Sequence, residues 1–169
     1  YVTPAPSLTQ FGGGIRAGIA GTRFGGTSYD GSASINTPLA ADKAAIRASA
    51  FYSREGGYVD NVQNGQENVG ASKVYGGRVD LLLKPVDDLT IRLTGFAQDI
   101  RRNGNLQADY FLNGRPANGA LDQAHPLGES FRGKFRIASG TVTYDFGGVA
   151  LTSVSSYQDV RTETRTDYS

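Results

Sequence analysis

Residues 74 to 97 carry two stretches of alternating side chains, Val74-Tyr-Gly-Gly-Arg-Val-Asp-Leu-Leu-Leu83 and Leu89-Thr-Ile-Arg-Leu-Thr-Gly-Phe-Ala97, on either side of Lys84-Pro-Val-Asp-Asp88. Successive side chains of a strand point to opposite faces, so this spacing predicts a β-hairpin. In the first strand Tyr75, Gly77, Val79, Leu81 and Leu83 share one face, while Gly76, Arg78, Asp80, Leu82 and Lys84 share the other. The second strand splits the same way, Leu89, Ile91, Leu93, Gly95 and Ala97 against Thr90, Arg92, Thr94, Phe96 and Gln98. One face is apolar and the other carries charge.

The pattern recurs along the chain. Alternating segments run from about Phe11 to Thr22, Thr27 to Thr37, Lys43 to Ser53, Lys134 to Phe146 and Val149 to Arg161. With the hairpin this makes seven predicted strands. Tyr29, Ala33, Ile35, Ile46, Ala48, Ala50, Tyr52, Ala138, Val142 and Tyr144 fall on the apolar side, and Arg16, Asp30 and Arg47 on the polar side. The last segment has no single phase, because Leu151 and Tyr157 share one parity and Val154 has the other; a bulge is expected there.

Composition narrows the class. Only 38% of the 169 residues are hydrophobic and 23 are Gly, which leaves little for a water-soluble core. Cys is absent, excluding disulfides and thiolate metal sites. A net charge of +1 argues against a nucleic-acid partner. No apolar run approaches the roughly 20 residues of a spanning helix, so a membrane role would have to use strands.

The connectors alternate in length. Thr37 to Asp42, Lys84 to Asp88 and Asp145 to Gly148 are short and hold Pro, Gly and Asp. Arg54 to Gly70 and Ile100 to Gly133 are long and polar, while Thr22 to Gly26 is the one link that stays short on that side. Tight turns on one rim and long loops on the other, with strands of roughly 9 to 11 residues, predict an up-and-down antiparallel meander of the transmembrane β-barrel type. Tyr29, Tyr52 and Tyr75 at the loop end and Phe11 and Tyr144 at the turn end read as two interfacial girdles. The polar face would line the lumen, where Arg47, Arg78 and Arg92 are expected to pair with Asp80 or with carboxylates from elsewhere.

Gly56-Gly-Tyr-Val-Asp-Asn61, Val74-Tyr-Gly-Gly-Arg78, Asp88-Leu-Thr-Ile-Arg92, Arg47-Ala-Ser-Ala-Phe-Tyr52, Ser139-Gly-Thr-Val-Thr-Tyr-Asp-Phe146 and Leu151-Thr-Ser-Val-Ser-Ser-Tyr157 together resemble the early barrel of TonB-dependent outer-membrane receptors. Tyr1-Val-Thr-Pro-Ala-Pro6 resembles the exit of that family's plug, so residues 1–7 would end the plug and 8–169 would be the first barrel strands. The resemblance implies a plugged barrel of about 22 strands in the outer membrane of a Gram-negative bacterium. It also implies uptake of a siderophore or other scarce nutrient, driven by an inner-membrane energy-coupling protein, with outer-membrane lipid and lipopolysaccharide as neighbours. Seven strands would be a fragment, neither closing nor transporting alone, because open edges cannot shield backbone polar groups from lipid. A passive or adhesive outer-membrane barrel is the main alternative, and a soluble carbohydrate-binding β-domain a more distant one.

Catalysis, a metal and a cofactor are not expected. His125, the single histidine, with Asp122 before it, reads as a solvated loop residue. Asp87 and Asp88 read as turn residues bonding backbone amides rather than as an acid/base pair. Gly12 to Gly14 and Gly56-Gly57 lack the Lys or third Gly of a phosphate loop and read as strand and loop glycines. Tyr58, Arg101, Arg102, Tyr110, Phe111 and Arg115 fall in the two long loops as ligand-capturing candidates, since rings and guanidinium groups suit bulky polar anions. The competing reading is that they pack the loops together or face lipopolysaccharide phosphates.

Overall fold

The computed structural model describes residues 4–167, so the expected plug exit lies partly outside the described residues. The seven predicted strands all form. They are β1 (Gly12–Gly21), β2 (Thr27–Ala40), β3 (Ala44–Glu55), β6 (Ser72–Val86), β7 (Leu89–Arg102), β9 (Ser130–Asp145) and β10 (Ala150–Arg165). Three short strands lie in the long connections: β4 (Val59–Asn61), β5 (Gln66–Val69) and β8 (Asp122–Gln123). The main sheet has the order β1-β2-β3-β6-β7-β9-β10, every pairing antiparallel, which is a meander. No helix occurs among the described residues.

Several strands outrun their predicted ends. Lys84 to Val86 belong to β6 rather than to a turn, and the bend is Asp87-Asp88 alone. Pro85 is tolerated because the register shifts between Leu83 and Val86, so no ladder hydrogen bond is asked of its missing N–H. β2 likewise continues through Pro38 to Ala40 with a shift between those two residues. The β2–β3 turn has Asp42 at φ 57, a left-handed conformation that a short polar side chain tolerates.

The bulge expected in the last strand is not there. β10 pairs with β9 in one unbroken register from Ala150↔Asp145 to Arg165↔Ser130. Its phase is set by its partner: Leu151 lies opposite Tyr144 and Tyr157 opposite Ala138, so both join the apolar face and Val154 joins the polar one. The sequence pattern blurs there because Ser153 and Ser155 occupy the apolar face while Val154 and Val160 occupy the polar one.

Turn chemistry also differs in detail. Asp87 and Asp88 make no side-chain bond to backbone amides among the described residues. Asp145 takes that role, its Oδ1 accepting from Gly147 N at 2.8 Å, and Gly147 has φ 86, where a Cβ would be strained.

Candidate functional site

Directly opposed residues of an antiparallel pair share a face, so the register assigns every strand residue. Val79 lies between Ala48 and Gly95, and Leu81 between Ile46 and Leu93, on one apolar surface. This surface is the exposed one. Val79 and Leu93 are each 47% exposed, while Asp80, on the charged face, is 2% exposed. A water-soluble sheet would show the reverse, with its apolar face buried and its charges outside.

The apolar band has a sloping upper boundary. Beginning at Tyr29 and crossing the sheet through direct partners, one meets Arg54, Lys73, Arg101 and Arg132. The last apolar residue lies two positions short of that line on β3 (Tyr52) and β6 (Tyr75), four short on β7 (Ala97) and six short on β9 (Ala138). Six residues are about 20 Å along a strand and four inter-strand steps about 19 Å across it, so the boundary slopes about 45° to the strand normal. On β1 and β10 the boundary runs level with its neighbours, at Ile19 and Tyr157, which brings the average over the whole sheet to about 35°. From Tyr75 to Leu83 the band is about 26 Å along the strand, or about 22 Å measured across the sloping boundary.

Tyrosines mark the upper edge. The rings of Tyr29 and Tyr52 stack with centroids 5.9 Å apart, and Tyr52 is directly opposite Tyr75. At the turn end Tyr144 and Phe146 pack with centroids 4.6 Å apart. Charges on the apolar face occur beyond these edges and not within the band.

On the polar face, Asp80 gathers three donors. Arg78 binds it through Nε at 2.6 Å and a second nitrogen at 2.9 Å; Arg92 binds Oδ1 through two nitrogens at 3.1 and 2.9 Å; Thr94 Oγ1 donates at 2.7 Å. The β6–β7 pairing brings them together, since Asp80 faces Thr94 and Arg78 and Arg92 lie one same-face step away along the two strands. Arg78 and Arg92 thus pair as expected. Arg47 does not: it sits opposite Asp80 in the β3–β6 register but makes no bond to it, leaving the cluster with a surplus of positive charge. Nearby, Asn36 holds the segment ahead of β1 against this same face, its Oδ1 accepting from Ser7 N and its Nδ2 donating to Ser7 O and Gln10 O.

The long connections form a compact layer instead of loose loops. β5, β4 and β8 make a small sheet, with β4 and β8 parallel through Asp60↔Asp122 and Asn61↔Gln123. Val59, Val69 and Gln123 are each 1% exposed. Asn61 is the clasp: Nδ2 donates to His125 O at 2.9 Å, and Oδ1 accepts from His125 N, Gln63 N and Asn64 N. His125 is therefore not a solvated loop residue. Its side chain is 17% exposed and lies between Asp109, with Nε2 to Oδ1 at 3.6 Å, and Glu129, with Nδ1 to Oε1 at 3.8 Å; Asp122 is not its partner. The two carboxylates meet different ring nitrogens, and among the described residues no acidic or histidine group is arranged to hold a metal.

The six loop candidates are not one site. Arg101 and Arg102 belong to β7, not to a loop, and point to opposite faces. Arg102 stacks over Phe131 at 5.6 Å. Tyr58 precedes β4 and packs beside Gly25. Only Tyr110, Phe111 and Arg115 come together, in a tip closed by the Tyr110↔Pro116 bridge and by Phe111 N donating to Arg115 O; the Tyr110 hydroxyl donates to Ala120 O. The polar residues that join the loops, Asn61 and Gln123, were not among the sequence candidates. Comparison with known proteins finds no family model, no curated protein and no solved structure that matches the chain.

Proposed function

We propose that this chain is a run of seven neighbouring strands from a transmembrane β-barrel in a bacterial outer membrane, belonging to an energy-coupled importer of the TonB-dependent type. The observation that carries this reading is the sloping apolar band. Barrel strands cross a bilayer tilted about 35–45°, and their lipid-facing band is about 25 Å tall between aromatic girdles. A flat membrane edge drawn on strands so tilted becomes a slope of about 35–45° on the sheet, which is the slope found here.

Two further features favour an importer over a passive or adhesive barrel. The segment ahead of β1 is tied to the polar face through Asn36, as a chain arriving from inside the lumen would be. The loop layer over the long-connection rim supplies a built surface with rings and an Arg at its tip, suited to a bulky polar ligand such as a ferric siderophore. The substrate would be bound and moved, not chemically changed.

The chain has no cysteine, which makes a labelling test direct. Single Cys substitutions at Arg78, Val79, Asp80 and Leu81 in the full-length protein should label alternately in native outer membranes. Positions 79 and 81 should react with a lipid-soluble maleimide and be shielded from a charged one; positions 78 and 80 should show the opposite. Equal reaction of all four with the charged reagent would sink the membrane placement. Ligand uptake that persists after collapse of the inner-membrane proton gradient would leave a barrel but remove the importer.

A further inference from the structure

The polar face of the main sheet divides into two zones. Toward the turn end it carries Arg47, Arg78, Asp80 and Arg92; toward the long connections, on the same face, it carries Phe51, Val74, Phe96, Ile100, Phe131 and Phe135. The register holds the second group together. Phe51, Gly76, Gln98 and Phe135 are successive direct partners across β3, β6, β7 and β9, and Phe96 stands opposite Arg78 one same-face step nearer the turns. All four phenylalanines are half-buried.

Two glycines let the rings lie down on the sheet. A Cβ on Gly76 would meet Phe51 Cζ at 2.9 Å, and one on Gly133 would meet Phe135 Cε2 at 3.1 Å and Phe131 Cε1 at 3.2 Å. Three rings thus rest on bare backbone and make a low apolar floor. A face that also carries arginines gains nothing of its own from such a floor, and contiguous apolar surface left open marks a place where something binds. Charge sets the sign of the occupant. Three guanidinium groups surround the single carboxylate of Asp80, and Arg47, half-buried, has no hydrogen bond or ion pair among the described residues.

We propose that this patch binds a small molecule built of flat aromatic rings with a carboxylate at one end, the rings on Phe51, Phe96 and Phe135 and the carboxylate on Arg47. The site rests on the importer reading above and names its substrate class. Aromatic rings prefer offset or edge-on contact with other rings, and a guanidinium takes a carboxylate bidentately. Arg47 and Phe51 are four residues apart on one strand, about 13 Å. A two-ring acid bridges that distance with the Arg47 side chain reaching part of the way.

The test titrates the full-length protein in nonionic detergent, by calorimetry against protein-free micelles, with biphenyl-4-carboxylate, its saturated analogue bicyclohexyl-4-carboxylate and biphenyl-4-methylamine. The aryl acid should bind about tenfold more tightly than the saturated acid, and the amine should not bind. Phe51→Leu/Phe135→Leu keeps the floor apolar and should erase that preference. Arg47→Gln should weaken the aryl acid about tenfold, Arg47→Lys should recover most of the loss, and Lys43→Gln at the turn end should change nothing. Absence of aryl-acid binding, equal binding of the two acids, binding of the amine, or indifference to Arg47→Gln each overturns the site. None of these touches the importer reading, which stands or falls by the alternating label at positions 78 to 81 and by the dependence of uptake on the proton gradient.

Discussion

The main sheet and the loop layer are built on opposite rules. In the sheet, large apolar side chains such as Val79 and Leu93 face outward and a carboxylate, Asp80, is among the most buried groups. In the loop layer Val59 and Val69 are buried, together with the amides Asn61 and Gln123 and one carboxylate, Glu129, which accepts from the backbone N–H groups of Asn105 and Asp167. The layer obeys the ordinary logic of a protein in water; the sheet inverts it. The change occurs over two residues on β3 and β6, four on β7 and six on β9, between the last apolar residue of each strand and the cationic row Arg54, Lys73, Arg101 and Arg132. The membrane placement proposed above accounts for this difference: the surroundings would be apolar around the sheet and aqueous around the layer.

The largest expected effect lies in the sheet. Asp80→Ala leaves Arg78 and Arg92 facing each other and Arg47 with no intervening anion. Removing one partner of a buried ion pair costs about 3–5 kcal/mol, and the two arginines, each 27% exposed, keep enough water to bring this to about 3 kcal/mol. Denaturant unfolding of the full-length protein in detergent should show that loss, with Asp80→Asn intermediate because the amide oxygen still accepts from Thr94. If Asp80→Ala is neutral, the polar face is not held together by this cluster, and the contrast with the amide-built layer loses its basis.

The sequence revealed the sheet far better than the layer, for a physical reason. Alternation is imposed wherever two faces meet different media, so the positions of β1, β2, β3, β6, β7 and β9 could be read from residues such as Ile15, Ile35, Ile46, Leu81, Leu93 and Val142. β10 blurred because serines stand on its apolar face at 153 and 155 and valines on its polar face at 154 and 160. The layer left no such trace. β4, β5 and β8 have three, four and two residues, too short for any period, and their cohesion comes from amide bonds between segments 64 positions apart. Rings and arginines drew attention to the tip at Tyr110, Phe111 and Arg115. Asn61 and Gln123 looked like ordinary loop residues. His125 looked solvated because neither Asp109 nor Glu129 stands out beside it in sequence.

A second test separates the media directly. Leu93→Arg places a cation in the middle of the exposed apolar band. On a lipid-facing strand near the midplane that costs about 2–4 kcal/mol. A similar change at a water-exposed surface position is usually within about 0.5 kcal/mol. Folding into phospholipid bilayers, followed by the heat-dependent gel mobility of barrels, should register the larger value. Phe111→Arg, at an apolar residue of the loop tip that is 59% exposed against 47% for Leu93, should register the smaller one. Equal effects at both positions would mean that one medium surrounds the whole chain.

The smallest effect tests whether the two regions are separable. Asn61→Ala removes one donor and a shared acceptor, orphaning the N–H of His125 and leaving its carbonyl only the longer bond from Asn64 Nδ2 at 3.3 Å, at a position where Asn61 itself is 2% exposed. A buried group left without its partner costs about 1–3 kcal/mol, and the two-residue β4–β8 pairing has little else to offset it. Opening should be local. Hydrogen exchange at residues 108 to 124 should speed up by about tenfold or more, the counterpart of at least 1.4 kcal/mol, while amides of β6 and β7 keep their protection, because the sheet's ladders do not pass through Asn61. Were β6 and β7 to loosen in step with 108 to 124, the layer would be part of the sheet's cooperative unit. The cationic row between them would then be an internal seam rather than the boundary between two media.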